Sequence, residues 1–140
     1  MSKQIWKPGT MLNPVPVVMI TCQDKDIKNV FTVAWTGTIC SDPAMVSISV
    51  RKERFSYDII KNSMRFCINL VNEDLAFATD YCGVRSGRNE DKFEKMKLET
   101  ENATNFECPI LKNSPVVLEC QVVEIKELGS HDMFIAKVLS

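Results

Sequence analysis

The chain has 140 residues, 45% of them apolar, and its 17 basic against 18 acidic side chains leave a net charge of −1. That length supports one core in one domain, and a balanced charge without a basic block lacks the electrostatic footprint of a nucleic-acid binder. The longest apolar runs, such as Pro14 to Ile20, fall far short of the roughly 20 residues a membrane-spanning helix needs. The opening MSKQIWKPG has neither an apolar signal core nor a cleavage site, so a cytoplasmic protein is expected.

The six cysteines, Cys22, Cys40, Cys67, Cys82, Cys108 and Cys120, are scattered with no C-x-x-C pair, and His131 is the only histidine. No metal site is expected from that spacing, and most of these thiols are expected to be small buried packing residues.

Residues Lys7 to Pro16 carry three prolines and a glycine and read as an irregular lead-in. Val15 to Thr21 is predicted as a buried strand closed by the polar turn Gln23 to Lys28, and Val30 to Trp35 as a second strand before the turn Ser41-Asp42-Pro43. In Met45 to Arg51, Val46, Ile48 and Val50 alternate with Ser47, Ser49 and Arg51, which gives the clearest half-buried strand in the chain. Its polar side carries short hydroxyls where Lys or Glu would suit water, which points to a face near something other than bulk solvent.

Ser56 is predicted to cap a short helix through Asn62, with Asp58 in its first turn. Arg65 to Val71 reads as a strand with Phe66, Ile68 and Leu70 on one face, and Asn72 as the cap of an amphipathic helix that ends near Gly83. Gly83 to Glu94 is polar and long enough for a functional loop. Leu98 to Phe106 is weakly patterned, and Cys108 to Leu111 is extended. Val116 to Leu128 is predicted as a long strand in which Glu119 and Gln121 point outward on one parity and Glu124 and Lys126 on the other. That change of phase requires a β-bulge near Val122-Val123. After the turn Gly129-Ser130, Met133 to Leu139 returns as a strand, and its strand-like composition up to Ser140 suggests a native C-terminal portion beyond it. Half a dozen strands with two short helices fit a closed or partly closed antiparallel barrel with helices on its ends.

The 28 residues from Asn29 to Ser56 concentrate the chemistry. A flavin mononucleotide needs donors for a dianionic phosphate, small residues along the ribityl chain and a flat slot for the ring. Thr32, Thr36, Ser41, Ser49, Arg51 and Ser56 offer hydroxyl and guanidinium donors, Arg51 suits bidentate phosphate contact, and a helix starting at Ser56 adds free N–H groups. Trp35 is available for the ring, although a strand tryptophan is more often core.

The order of W-x-P-G (Trp6, Pro8, Gly9), N-V-x-T-x-A-W, S-D-P, V-S-I-S-V-R, I-N-L (Ile68 to Leu70), C-G-x-x-S-G (Cys82, Gly83, Ser86, Gly87), D-K-F (Asp91 to Phe93) and G-S-H resembles the flavin reductase-like, FMN-binding split-barrel family, flavoredoxin-type proteins within it. The resemblance implies a mainly β fold, a split antiparallel barrel of Greek-key type with short helices. It also implies a homodimer holding FMN near its interface, reduced by NAD(P)H or by a partner redox protein. It places Thr32, Ala34, Trp35 and Thr36 along the ring and ribityl chain. Ser49, Val50, Arg51 and Ser56 would hold the ribityl-phosphate end, and the loop with Cys82, Gly83, Ser86 and Gly87, followed by Lys92, would close over it. His131 would lie near the flavin or nicotinamide as the candidate catalytic residue. Similar proteins often have G-D-H, and this chain has Ser130 at the acidic position. Three functions are therefore weighed: an NAD(P)H-dependent flavin reductase, a non-enzymatic FMN electron carrier, and a ligand-binding barrel without redox work. A Cys82 redox thiol near the ring competes with its plainer role as a packing residue at a helix end.

Overall fold

Val18–Asp24 (β1) and Ile27–Val33 (β2) form the first hairpin in a computed structural model that describes residues 1–140. The proline-rich segment before β1 has no regular structure and is almost wholly exposed. Thr36–Ser41 (β3) and Ala44–Arg51 (β4) form a second hairpin around a cis Asp42–Pro43 bond. Strand β3 is absent from the sequence-based reading. Its residues are exposed or half-buried on both faces, so no apolar alternation announces it.

The helix after β4 spans Phe55–Ser63 (α1), and its N-cap is Arg54 in an extended conformation without a side-chain bond. Ser56 is therefore not the cap. It is the second helical residue, fully buried, and its hydroxyl accepts a bond from Asn29. Met64, left-handed at φ 58°, ends the helix. Arg65–Leu70 (β5) follows, then Asn72, whose side chain caps a 3-10 turn at Glu73–Leu75 leading into Ala76–Val84 (α2). Lys92–Lys95 (α3) is one turn capped by Asp91. Thr100–Asn102 (β6) and Pro109–Leu111 (β7) pair with each other, and Val117–Glu127 (β8) and His131–Val138 (β9) complete the chain. The weakly patterned stretch thus hides β6, three exposed residues whose pairing comes from β7.

The main sheet has seven strands in the order β2-β1-β5-β8-β9-β4-β3, with antiparallel pairing throughout. Strands β2 and β3 are adjacent in the chain yet lie at opposite edges, so the short link Ala34-Trp35 is where the sheet curls back on itself. The β3–β4 ladder gains one more bond there, from Ser49 N–H to the Trp35 carbonyl at 2.9 Å. Beyond it β2 pairs only with β1, and β4 only with β3 and β9, which leaves a split between β2 and β4.

The main core fills the barrel with Ile20, Phe31, Ile48, Ile60, Phe66 and Phe134 among its fully buried side chains, and α1 plugs one end. The expected bulge is present as a register shift between Val122 and Glu124. The outward direction expected for Glu119 is not observed. Its carboxylate is buried and accepts the backbone N–H groups of Thr104 and Asn105 at 3.0 and 2.7 Å. Burial pushes its pKa up, but these donors and the Asn105 side chain outweigh it and hold the group below its ordinary value. Strand β5 is buried on both faces, from Phe66 to Asn69, because the segment around Phe106 and Cys108 covers its second side, whereas Leu70 is exposed. All six cysteines are free, five buried and Cys40 half-buried.

Candidate functional site

A groove follows the split and divides into three connected parts that share lining residues. At one end lies a cavity of about 200 Å³. Its lining comes from the start of α1, the loop after α2 and Lys92. Four cations meet there, Arg54, Arg85, Arg88 and Lys92, against one carboxylate, Glu53. The middle part, about 210 Å³, lies between Phe31–Trp35 of one edge and Ser49–Arg51 of the other, with His131 beside it. The third part, about 530 Å³, is bounded by residues 12–16 of the lead-in and by Trp35, Thr36, Ser47 and Ser49. Arg54 and Phe31 line the first two parts, and Trp35 and Ser49 the last two.

The cationic end is prearranged by backbone contacts. Arg54 donates to the Gly83 carbonyl at 3.1 Å and lies over the Phe31 ring. Arg88 donates to the Glu53 carbonyl at 2.7 Å and lies over Phe55. Lys92 is 1% exposed, and its ammonium donates to the carbonyls of Cys82 and Arg85 at 3.1 and 3.2 Å, with no carboxylate in ion-pair contact. Burial lowers its pKa to about 8, and nearby Arg54 pushes it the same way. Burial also lowers the pKa of Arg54. Cations held short of counter-charge beside the first turn of α1 are suited to a dianion.

In the middle part the Trp35 and His131 rings meet at 4.5 Å between centroids with a 39° tilt. Ser130 Oγ lies 2.8 Å from His131 Nδ1, so the residue at the position where G-D-H would have its acid is within hydrogen-bond distance of the ring. Burial and then Arg51, its register partner across β4 and β9, lower the His131 pKa, so the neutral ring is favoured.

Most of the expected residues meet in this groove. Thr32, Ala34, Trp35, Ser49, Val50, Arg51 and His131 line its middle, Ser56, Ser86, Gly87 and Lys92 its cationic end, and Thr36 its third part. Val50 contributes from the core, since its side chain is buried there. Thr32 and Thr36 already donate their hydroxyls to the carbonyls of Thr79 and Ser47.

Four expectations change. Arg51 is separated from the cationic end: strand alternation leaves it on the outer face of β4, and the following turn delivers Arg54 to the start of α1 instead. Cys82 and Gly83 belong to α2, not to a loop. Cys82 is buried among Met19, Val30 and Leu75, and burial raises its thiol pKa, so it is a packing residue whose carbonyl holds Lys92. Gly83 packs against Thr32, 3.3 Å from where its Cβ would sit, and supplies the carbonyl for Arg54. Ser41, at the far end of β3, is exposed and outside the groove. The residues missed from sequence are Arg54, Arg85, Arg88 and Asn29. For the arginines the available signal was the repeated Arg-x-x-Arg spacing, Arg51 to Arg54 and Arg85 to Arg88, and for Asn29 only its place at the head of N-V-x-T-x-A-W.

The sequence profile of the flavin reductase like domain matches residues 10–140. The chain belongs to the flavin reductase-like family. Flavoredoxin of Desulfovibrio vulgaris (Miyazaki F) is similar in structure at a TM-score of 0.90 and 27% identity, over 99% of this chain and 75% of that one. An uncharacterized protein of Archaeoglobus fulgidus is 27% identical over 111 residues, 79% of this chain and 63% of its own length. An NADH:riboflavin 5′-phosphate oxidoreductase of Streptomyces pristinaespiralis is 22% identical over 119 residues, 84% of this chain and 65% of its own. The chain thus spans less than two thirds of either sequence relative. Within the flavin reductase-like fold, a split barrel, the groove gathers four cations at one end and has an uncharged lining at the other.

Proposed function

We propose that this chain is a flavin-dependent oxidoreductase that holds FMN in the groove, with NAD(P)H as reductant. The observation that carries the reading is Lys92, a buried cation without a carboxylate partner, among three arginines at the end of a groove whose other end is uncharged. A dianionic phosphate would supply the missing counter-charge. Ser86 and the α1 N-terminus would add neutral donors, and Arg54 and Arg88, held by backbone carbonyls and aromatic faces, would meet the phosphate without reorganising. The ribityl chain would run past Thr32 and Ser49, and the ring would lie at Ala34 and Trp35. When bound, the flavin supplies the hydride and single-electron chemistry, and the protein supplies orientation and electrostatics. His131, stacked on Trp35 and kept neutral, would position a hydrogen bond at the ring edge.

The test is the absorption spectrum of the purified protein, followed by anaerobic addition of NADH and of NADPH. A bound-flavin spectrum bleached by either supports the reading. A protein that cannot be reconstituted with FMN overturns it. A flavin spectrum that bleaches only with a partner redox protein would instead make the chain an electron carrier, a reading favoured by its likeness to flavoredoxin.

The working form we propose is a homodimer of single-domain subunits in the cytoplasm. Both faces of β3 and much of Trp35 are open for a second subunit, and free buried thiols suit a reducing compartment. No helix is long and apolar enough to cross a membrane.

A further inference from the structure

On the outer side of the main sheet, away from the groove, three cross-strand neighbours form a row. Thr21 of β1 is the register partner of Cys67 of β5, and Cys67 is the register partner of Glu119 of β8, so the three side chains share one face. Cys108 is laid on this row from above. Its Sγ is 3.9 Å from Thr21 Oγ1, and it packs with Cys67 and Phe106 in a cluster separate from the two larger cores. Cys67 is 0% and Cys108 2% exposed. Hydrogen bonding with the Cys67 thiol, then burial, pushes the Cys108 pKa up. The other cysteines are not paired in this way. Cys22 faces the opposite side of β1 from Thr21, into the main core. Cys120 shares that core, but β5 separates the two strands and sets them about 9–10 Å apart, too far for an S–S bond.

The cover over the pair is thin. Residues 103–108 form no helix or strand, and Thr104, Asn105 and Glu107 are exposed. One backbone bond, from Ala103 N–H to the Cys108 carbonyl at 2.9 Å, closes the segment on itself. Its polar ties to the sheet run to the Glu119 carboxylate and, from the Asn105 amide, to Ser140 Oγ.

We propose that Cys67 and Cys108 are a reversible disulfide site, reduced at rest and oxidised by hydrogen peroxide when the 103–108 segment lifts. Neither residue lines the groove, so the proposal does not depend on what the groove holds. With the segment closed, both thiols are out of reach, and only a thiolate attacks peroxide. Lifting brings Cys108 into water, where its thiolate takes one oxygen from the O–O bond and becomes a sulfenic acid; the hydroxide released takes up the thiol proton. On reclosing, the Cys67 sulfur attacks the sulfenic sulfur, the S–S bond forms, and the hydroxyl leaves as water with the Cys67 proton. Two thiols and one peroxide thus become one disulfide and two waters, the sulfurs giving up two electrons and the peroxide accepting them. The ring so closed contains α2 with Arg85, Arg88 and Lys92, three of the four groove cations. Oxidation ties off the base of the excursion that builds the cationic end.

The experiment treats the reduced full chain with a modest molar excess of hydrogen peroxide, blocks the remaining thiols with a maleimide under denaturing conditions and maps the peptides without reduction. The expected product has lost two of its six thiols, yields the linked Cys67 and Cys108 peptides and recovers both thiols in dithiothreitol. Its urea midpoint should be higher than that of the reduced chain, because the bond closes a long loop without displacing the sheet. Glu119→Gln keeps the size of the side chain, weakens its hold on Thr104 and Asn105, and should speed the loss of thiols at least about threefold. Should that variant not fold, the native chain decides alone. Six unreacted thiols, a different pairing, sulfinic acid in place of a disulfide, an unchanged or lower urea midpoint, or equal rates in the native chain and a folded Glu119→Gln would overturn the proposal.

Discussion

Asn29 on β2 donates its side-chain amide to Ser56 on α1 at 2.8 Å, both residues buried, and this bond ties the cationic end of the groove together from beneath. Gly87 rests on the same pair of elements. A Cβ there would meet Asn29 Oδ1 at 2.5 Å and Phe55 Cδ2 at 2.6 Å, whereas a Cβ on Gly37 meets nothing within 4 Å. Gly87→Ala is expected to destabilise the protein by about 1–3 kcal/mol and to weaken FMN binding, because the displaced side chains line the cavity proposed to take the phosphate. Gly37→Ala should change neither. Urea unfolding and an FMN titration of both variants check this, and equal midpoints would show that Asn29 and Phe55 yield freely.

Lys92 makes stability and binding depend on pH in opposite senses. Its folded pKa of about 8 lies below the ordinary 10.5, so the folded chain binds fewer protons than the unfolded one between those values. Stability in the absence of anions therefore rises with pH from about 8 to 10.5, by on the order of 2 kcal/mol after solvent screening. FMN affinity is expected to fall across the same rise through 8, as the ammonium proposed to face the phosphate is lost. In Lys92→Met both slopes should flatten, and riboflavin, lacking the phosphate, should bind native and variant alike. Denaturation midpoints and flavin titrations between pH 7 and 10.5 provide the comparison.

Arg54 and Arg51 differ in consequence although they are three residues apart. Arg54→Ala removes a charged donor at the anion site and is expected to raise the FMN dissociation constant about 10- to 100-fold. Arg51→Ala, on the outer face of β4, should raise it less than threefold. Quenching of flavin fluorescence on binding measures both, and a larger effect at Arg51 would move the phosphate to the middle of the groove.

Tyr57 donates its hydroxyl to Asp132, a wholly buried carboxylate whose other oxygen has no partner and whose nearest cation, Lys52, lies 3.9 Å away. The bond to Asp132, with burial, raises the phenol pKa to about 12. An acid raised from 10 to about 12 favours the folded state below pH 10, and that contribution is lost as pH climbs through 12. Tyr57→Phe should cost about 2–4 kcal/mol at pH 7 by stripping the buried carboxylate of its donor. Phenolate absorbance during alkaline titration would reveal a tyrosine that ionises at an ordinary pH if the bond does not form.

How far the sequence could be read depended on which signals were local. The alternation of Val46, Ile48 and Val50 and the phase change after Gln121 are properties of single strands, and both appear as expected, the latter as the register shift at Val122. Strands β3 and β6 escaped because their order comes from partners, with little apolar face of their own. Glu119 was placed outward by parity alone, and only tertiary structure brings Thr104 and Asn105 over it. The same limit explains the site. Small hydroxyls and Trp35 lie near one another in sequence, so the middle of the groove was legible. The four cations come from two segments some thirty residues apart, and a strong preference for Arg51 concealed Arg54. Lys92 was marked only by the resemblance of D-K-F, and its burial could not be read from the residues because it is a product of tertiary packing, with the carbonyls of Cys82 and Arg85 holding the ammonium.

The short link at Ala34 and Trp35 has a dynamic consequence. A sheet whose two edges are successive strands is closed through elements from the whole chain, so the edge of the groove between β2 and β4 has few backbone bonds of its own. The Ser49 amide, bonded to the Trp35 carbonyl, is the last rung before the split. Its hydrogen exchange would report local opening of the barrel edge rather than global unfolding, and any ligand that spans the groove would slow that exchange by stitching β2 to β4.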